Sequence, residues 1–330
     1  MCALTTWKLS AGTACVIGKK QMKVDVSPTT AYIMLGEKCR NHCGFCAQSQ
    51  DSSARSDMLS RVIWPEIPSD EAIEGISGAY RTGKLKRVCL QVVNNRDSQQ
   101  SSFAALQAIT ARSPVPICIS SNIDSVEQAR ELIECGAERV SLALDAATPE
   151  LFQVIKRDSW EQRWGLLLAC AQALPGRIST HLIVGLGETE AEMVATIVKC
   201  IANGINVGLF AFTPLKGTAF EQKESPSISH YRRIQIAFHL IKKGFDPNRF
   251  QYRDGQLVHF GLSGSEIITL LADGKAFETS GCEDCNRPYY NERPGGIMYN
   301  YPRSLTQKEV SRAIEESQII NSNKEVTGNE

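Results

Sequence analysis

The chain has 330 residues, 42% of them apolar, and balances 36 Lys and Arg against 36 Asp and Glu. That length can bury one large core, since single α/β barrels run to about 250 residues. With no basic run longer than Lys84-Leu-Lys-Arg87, nothing attracts nucleic acid or an anionic membrane; with neither a leader-like N-terminus nor an apolar run near the ~18 residues of a membrane span, a cytoplasmic protein is expected.

In chain order, residues 1–30 form an extension whose small-residue segment 11–18 carries Cys15. Short β-branched runs at 31–36, 87–93, 115–120, 138–144, 177–184 and 206–213 then predict strands. Amphipathic stretches at 69–82, 99–111, 125–135, 160–173, 190–203 and 229–243 predict the helices between them. Asp124 can cap the third of these helices, and Gly136 and Gly204 punctuate the ends of the third and fifth. A sixfold strand–helix alternation predicts parallel α/β architecture, in a barrel or a doubly wound sheet. Beyond Gly244 a strand at 249–260, a helix at 263–272 and a short strand at 275–280 can extend the six units toward eight. Residues 281–303, rich in Pro, Gly, Asn and Tyr, read as an ordered loop; a helix at 305–320 and a disordered polar tail at 321–330 follow. The expected organisation is therefore an extension (1–30), a barrel core (31–250), a completing segment (251–320) and a tail (321–330).

Twelve cysteines are many for a reducing compartment, where disulfides are disfavoured, so metal or redox chemistry accounts for some of them. Cys39-Arg-Asn-His-Cys43-Gly-Phe-Cys46 follows the first strand directly. Three thiolates on one loop can hold three irons of a cubane and leave the fourth open to a substrate, whereas electron carriers close their clusters with four. A Cys₃His zinc site using His42 is the competing reading of the same residues. The second group, Cys282-Glu-Asp-Cys285, follows the last short strand and is expected at the same mouth of the barrel as the first; two thiolates need a further ligand, for which Cys15 is the candidate. Cys135, Cys170 and Cys200 fall among apolar helix residues and read as packing. Cys89 and Cys118 are expected to point into or against the barrel core.

The CxxxCxxC spacing, with aromatic Phe45 before the last cysteine, resembles the signature of the radical S-adenosylmethionine (SAM) superfamily. The resemblance implies a TIM-type (β/α) barrel with N- and C-terminal extensions. It also implies a [4Fe–4S] cluster on Cys39, Cys43 and Cys46, whose unique iron binds SAM and whose reduction yields a 5′-deoxyadenosyl radical. Within that family His181-Leu-Ile-Val-Gly-Leu-Gly-Glu188 is similar to the Val-Gly-Leu-Gly-Glu-Thr segment of biotin and lipoyl synthases. The segment Asn95-Arg96-Asp97 resembles the lipoyl synthase stretch that meets the methionyl end of SAM. By this likeness Phe45, Asn95, Arg96, Asp97, Asp145, Arg157 and Glu188 are the expected cofactor-binding residues.

Cys89 and Cys118 match two of the three strand cysteines of biotin synthases, but Ser179 stands at the third and no arginine ligand is evident. The segment from Cys285 to Gly296 instead resembles the archaeal-type two-component lipoyl synthases. That likeness implies a second, auxiliary [4Fe–4S] cluster on Cys15, Cys282 and Cys285 as sulfur donor, and sulfur insertion at C6 or C8 of a protein-bound octanoyl-lysine. The implied partners are an octanoylated lipoyl carrier domain or H-protein, a second related subunit, and ferredoxin or flavodoxin as electron donor. A biotin synthase-type or maturase-like radical enzyme, a zinc-stabilised binding protein and an electron carrier are the alternatives.

Overall fold

The computed structural model describes residues 6–292 and 295–319; Cys2 and the tail at 321–330 lie outside them. Six parallel strands form the centre: β2 (Thr30–Leu35), β4 (Arg87–Val92), β5 (Ile117–Ser120), β6 (Arg139–Ser141), β7 (Ile178–Val184) and β8 (Asn206–Ala211). Two short antiparallel strands, β1 (Thr6–Leu9) and β3 (Glu66–Pro68), continue the sheet beyond β2. Packed around the strands are α2 (Ser69–Arg81), α3 (Ser98–Thr110), α4 (Val126–Glu134), α5 (Pro149–Lys156), α6 (Trp160–Ala173), α7 (Glu190–Ala202) and α8 (Ile228–Lys242). Before and after them lie α1 (Ala11–Val16), α9 (Gly264–Leu271) and α10 (Gln307–Glu316). Ser and Thr N-caps start most of these helices, and at Thr189, Ser263 and Thr306 the glutamate three residues on completes a capping box. Among the described residues no helix is long and apolar enough to cross a membrane.

Strand alternation sorts the side chains. Ile33, Val88, Leu90, Ile117, Ile119, Val140 and Leu182 are buried in the main core, whereas their neighbours Tyr32, Cys89, Gln91, Ser120, Ser179, His181 and Phe210 line a central cavity. The registers Tyr32 with Cys89 and Cys89 with Cys118 set these inward side chains in layers.

The six predicted barrel strands and the six helices between them all form. The expected extension toward eight units does not: residues 251–259 fold as a separate hairpin, Gln251–Arg253 with Gln256–His259, and 275–277 form a 3₁₀ turn. Glu190, at the start of α7, holds the hairpin by accepting from Leu257 N–H at 2.8 Å. The β8 edge is covered instead by the irregular segment 280–291. Leu209 N–H donates to Ser280 Oγ at 2.8 Å and Asn291 Nδ2 to Ala211 O at 2.9 Å. Ser60 Oγ, in a hairpin after β2, donates to Tyr290 O at 2.7 Å, so this segment bridges the gap between the two edges of an incomplete barrel.

Candidate active site: two groups of thiols on one cavity

The loop after β2 carries Cys39, Cys43 and Cys46 at the C-terminal ends of the strands, where barrel enzymes place their chemistry. Backbone bonds fix its shape: Cys39 N–H to Gln48 O at 2.9 Å, Cys46 N–H to Cys43 O at 3.1 Å and Arg40 N–H to Asn94 O at 2.8 Å. Gly44 is clamped on both sides, donating to Ile155 O at 2.9 Å and accepting from Phe220 N–H at 3.0 Å. A Cβ there would lie 2.7 Å from the Phe220 ring, so the residue directly after the second cysteine favours glycine as long as Phe220 keeps its place. Burial pushes the Cys46 thiol up to about 12 and raises Cys43, the latter against the pull of Lys156. Such thiols give up their protons to a cation held among them, and three on one loop fit a cluster with one iron left open. His42, the donor a Cys₃His zinc site requires, is half exposed and bonded to Asp51 at 2.8 Å. Among the described residues no three Cys, His, Asp or Glu gather closely enough for a single ion; a cluster, with one thiolate per iron, asks for spread thiols.

Two cavities flank this loop. One, of about 430 Å³, is polar and takes in Asn94, Asn122, Asp124, Lys156, Arg157 and Arg163 beside Cys39 and Cys43. The other, of about 230 Å³, is the barrel interior; Cys46 lies at its mouth and Phe45, Leu59, Phe210, Phe212, Tyr32 and Tyr290 wall it. Between them Lys156 is ion-paired with Asp145, both sequestered from solvent. Burial alone would lower the Lys156 ammonium, but Asp145 and Cys43 hold it above the ordinary lysine value.

The second thiol group enters the same interior from the opposite end. Residues 283–286 are tied to the N-terminal ends of β2 and β4: Thr29 N–H donates to Asn286 Oδ1 at 2.9 Å, Lys86 Nζ pairs with Asp284 at 2.7 Å and Arg87 Nη1 donates to Glu283 O at 2.6 Å. The expectation that both groups share one mouth is therefore corrected. Because among the described residues no seventh or eighth strand joins the barrel after α8, the segment crosses the open edge of the barrel and closes its floor. Cys282 and Cys285 line the interior with Cys89, and Cys282 Sγ lies 3.2 Å from Cys118 Sγ. Hydrogen bonding from Cys118, against burial and with the charges of Arg87 and Arg139, holds Cys282 down at about 6; the same bond drives Cys118 up.

Of the expected cofactor residues, Phe45 and Asp145 line the interior and Arg157 the polar cavity, where it shares Asp51 with His42. Asn95, Arg96 and Asp97 line neither cavity; they make the turn into α3, with Asn95 Oδ1 accepting from Asp97 N–H at 3.0 Å, and Asn94 reaches the polar cavity instead. Glu188 is spent on its own turn, accepting from the N–H groups of Gly185, Leu186 and Gly187 at 2.6, 2.9 and 3.1 Å. Cys15 sits in α1 and lines neither cavity, so it is not among the thiols around Cys282 and Cys285. Sequence reasoning missed Lys156, Tyr32 and Arg287. Arg287 enters the interior with its guanidinium 3.9 Å from the centre of the Phe210 ring, and the only hint was its place two residues after Cys285.

The sequence pattern of the Radical SAM superfamily matches residues 33–200. The chain is 24% identical over 252 residues to the biotin synthase of Leptospira interrogans serogroup Icterohaemorrhagiae serovar Lai, covering 71% of each. It is 27% identical over 207 residues to that of Acidothermus cellulolyticus, covering 61% of this chain and 59% of that one. Among solved structures, methylornithine synthase superposes with a TM-score of 0.50 at 15% identity over 87% of this chain and 80% of that one. The FeFe-hydrogenase maturase HydG from Carboxydothermus hydrogenoformans gives 0.51 at 14% identity, over 88% of this chain and 66% of that one. At such identities the superpositions speak for the fold alone.

Proposed function

The chain belongs to the radical SAM superfamily, and from that premise we propose that it inserts sulfur, as a lipoyl synthase subunit acting on an octanoyl chain carried by a protein lysine. The observation that carries the reading is the shared interior, with Cys46 at one end and Cys89, Cys282 and Cys285 at the other. Relatives that are biotin synthases support sulfur insertion as the reaction class. The aromatic and aliphatic walls suit a saturated chain, and Ser179, which stands where biotin synthases carry a third strand cysteine, lines the cavity.

When bound, the [4Fe–4S] cluster and SAM supply a 5′-deoxyadenosyl radical able to take hydrogen from an unactivated carbon. The protein's own residues position and exclude. Cys39, Cys43 and Cys46 hold the cluster on a loop that Ile155 and Phe220 keep rigid. Asp124 and Arg157 give the polar cavity both signs of charge and Asn94 adds a neutral amide, which matches the zwitterionic end of SAM. Lys156, paired with Asp145, sets a fixed positive charge beside the thiolates. Phe45, Phe210 and Phe212 keep water from the chain. An auxiliary cluster, a second related subunit and a ferredoxin or flavodoxin belong to the same reading.

Anaerobically reconstituted protein, given SAM and reductant, is expected to release 5′-deoxyadenosine, and C43A to release none; with an octanoylated carrier peptide and the second subunit, mass spectrometry should show added sulfur. Nucleoside release without sulfur gain would remove the lipoyl assignment and keep the radical one. Cys89 and Cys118 on the inner strands favour a second reading, a biotin synthase-type reaction, which dethiobiotin in the same assay tests directly.

A further inference from the structure

We infer that Cys89, Cys118, Cys282 and Cys285 together hold a second iron–sulfur cluster at the N-terminal end of the barrel, two ligands coming from neighbouring strands and two from the segment that closes the floor. The inference rests on the radical SAM reading for its purpose, but its argument is geometric. Cys89 and Cys118 are register partners on the parallel strands β4 and β5, with their Cα atoms about 4.8 Å apart. Cys282 Sγ is 3.2 Å from Cys118 Sγ, longer than the ~2.05 Å of a disulfide, so the two thiols are unbonded neighbours that a cluster would part onto separate irons. Cys285 Sγ lies 3.2 Å from Tyr32 Oη, and Tyr32 is the register partner of Cys89 on β2. Four thiols from three separate parts of the chain thus border the floor of the barrel, with no three of them close enough for a single ion. A Cys118–Cys282 disulfide would leave Cys89 and Cys285 unexplained.

The surroundings are those of a buried anionic group. Arg87 Nη2 donates to Cys118 Sγ at 3.0 Å, and its side chain is 5% exposed although its carboxylate partner Glu138 is 45% exposed. Gln91 Nε2 donates to Cys89 Sγ at 2.9 Å. Arg287 N–H donates to Tyr32 Oη at 3.1 Å, which leaves the phenol proton for Cys285. Hydrogen bonds to sulfur and nearby positive charge lower the cost of holding several thiolates away from water.

Ligand number separates the two sites. Three thiols at the mouth leave one iron open for SAM, whereas four at the floor close the cluster and present only its sulfides to the cavity. Cys89 lies three residues before the end of β4, so at about 3.3 Å per residue the floor is roughly 10 Å below the strand ends. A substrate chain reaching down from the mouth would meet that cluster.

The test removes the mouth cluster and asks what remains. C39A/C43A/C46A protein, reconstituted anaerobically with ferrous iron and sulfide, is expected to keep about four irons and four sulfides per chain, with a brown, reducible, EPR-active chromophore. Adding C118A or C282A should abolish it, and adding C15A should not. If the triple variant does not fold, the same question is put to otherwise intact protein: C118A should halve the iron, from about eight to about four per chain, while 5′-deoxyadenosine release from SAM persists and reports an intact fold. The inference is overturned if the triple variant takes up no iron or colourless zinc instead, if C118A keeps the iron, or if C15A loses it. Absence of nucleoside release from wild-type protein, with the floor iron present, would defeat the radical reading and leave this site standing.

Discussion

Single side chains decide how rigid the site is. Glu188 satisfies three consecutive backbone N–H groups, so Glu188→Ala strands the buried Leu186 donor and leaves those of half-buried Gly185 and exposed Gly187 to water. With one donor stranded and two rehydrated, the loss should be about 1 to 2 kcal/mol in urea denaturation. A variant of unchanged stability but weakened SAM binding would instead make Glu188 a cofactor ligand. His181, in the cavity wall against Phe210, is held down at about 4 by burial. Its folded value lies below its unfolded one, so the folded state binds fewer protons. Stability is unaffected above the ordinary histidine value of about 6.5 and falls below it, by up to about 1.4 kcal/mol per pH unit, until the folded value is reached. His181→Gln should flatten that decline, as read from denaturation midpoints at pH 7 and pH 5.

At the scale of elements, the cluster loop depends on two neighbours that lie far from it in sequence, the end of α5 and the loop before α8. Gly44→Ala drives a methyl into Phe220 and should cost about 1 to 3 kcal/mol of local strain. The expected result is lower iron content at the mouth with the melting transition still cooperative; Phe220→Ala in the same chain should restore the iron. The loop's cysteines were legible in the sequence because three ligands within eight residues need no tertiary information. So were the inner strands and their helices, whose periods of two and 3.6 each run over several residues. By contrast β1, four residues long, is too short to show alternation, and α5, two turns started by Thr148 and Pro149, hides behind the predicted strand before it. The pairing of Cys282 with Cys118 was not legible for a different reason. It depends on which end of the barrel the C-terminal segment reaches, and that follows from strands that do not form after α8.

The molecule as a whole is an incomplete barrel whose missing wall is an irregular segment, and the fastening of that segment determines whether the floor site exists. Arg232 of α8 is the main fastener. With 1% of its surface exposed, it donates to Tyr299 O at 2.7 Å, Met298 O at 2.6 Å and Gln235 Oε1 at 2.7 Å, pairs with Glu316 of α10 at 3.0 Å, and lies over the rings of Phe277 and Tyr301. Arg232→Met keeps most of the packing volume but takes the donor from Met298 O and one of two donors from Tyr299 O and Glu316, which keep Gln235 and Arg312, a loss of about 2 kcal/mol or more. The six parallel strands and the mouth loop make none of these contacts, so the damage should be confined to one part of the molecule. Limited proteolysis is expected to cut first between 280 and 303, iron retention by Cys282 and Cys285 should fall, and 5′-deoxyadenosine release from SAM should continue. Cleavage spread evenly through the barrel, with both activities lost together, would mean that the closing segment and the strands unfold as one unit. The floor could then not be opened without losing the mouth.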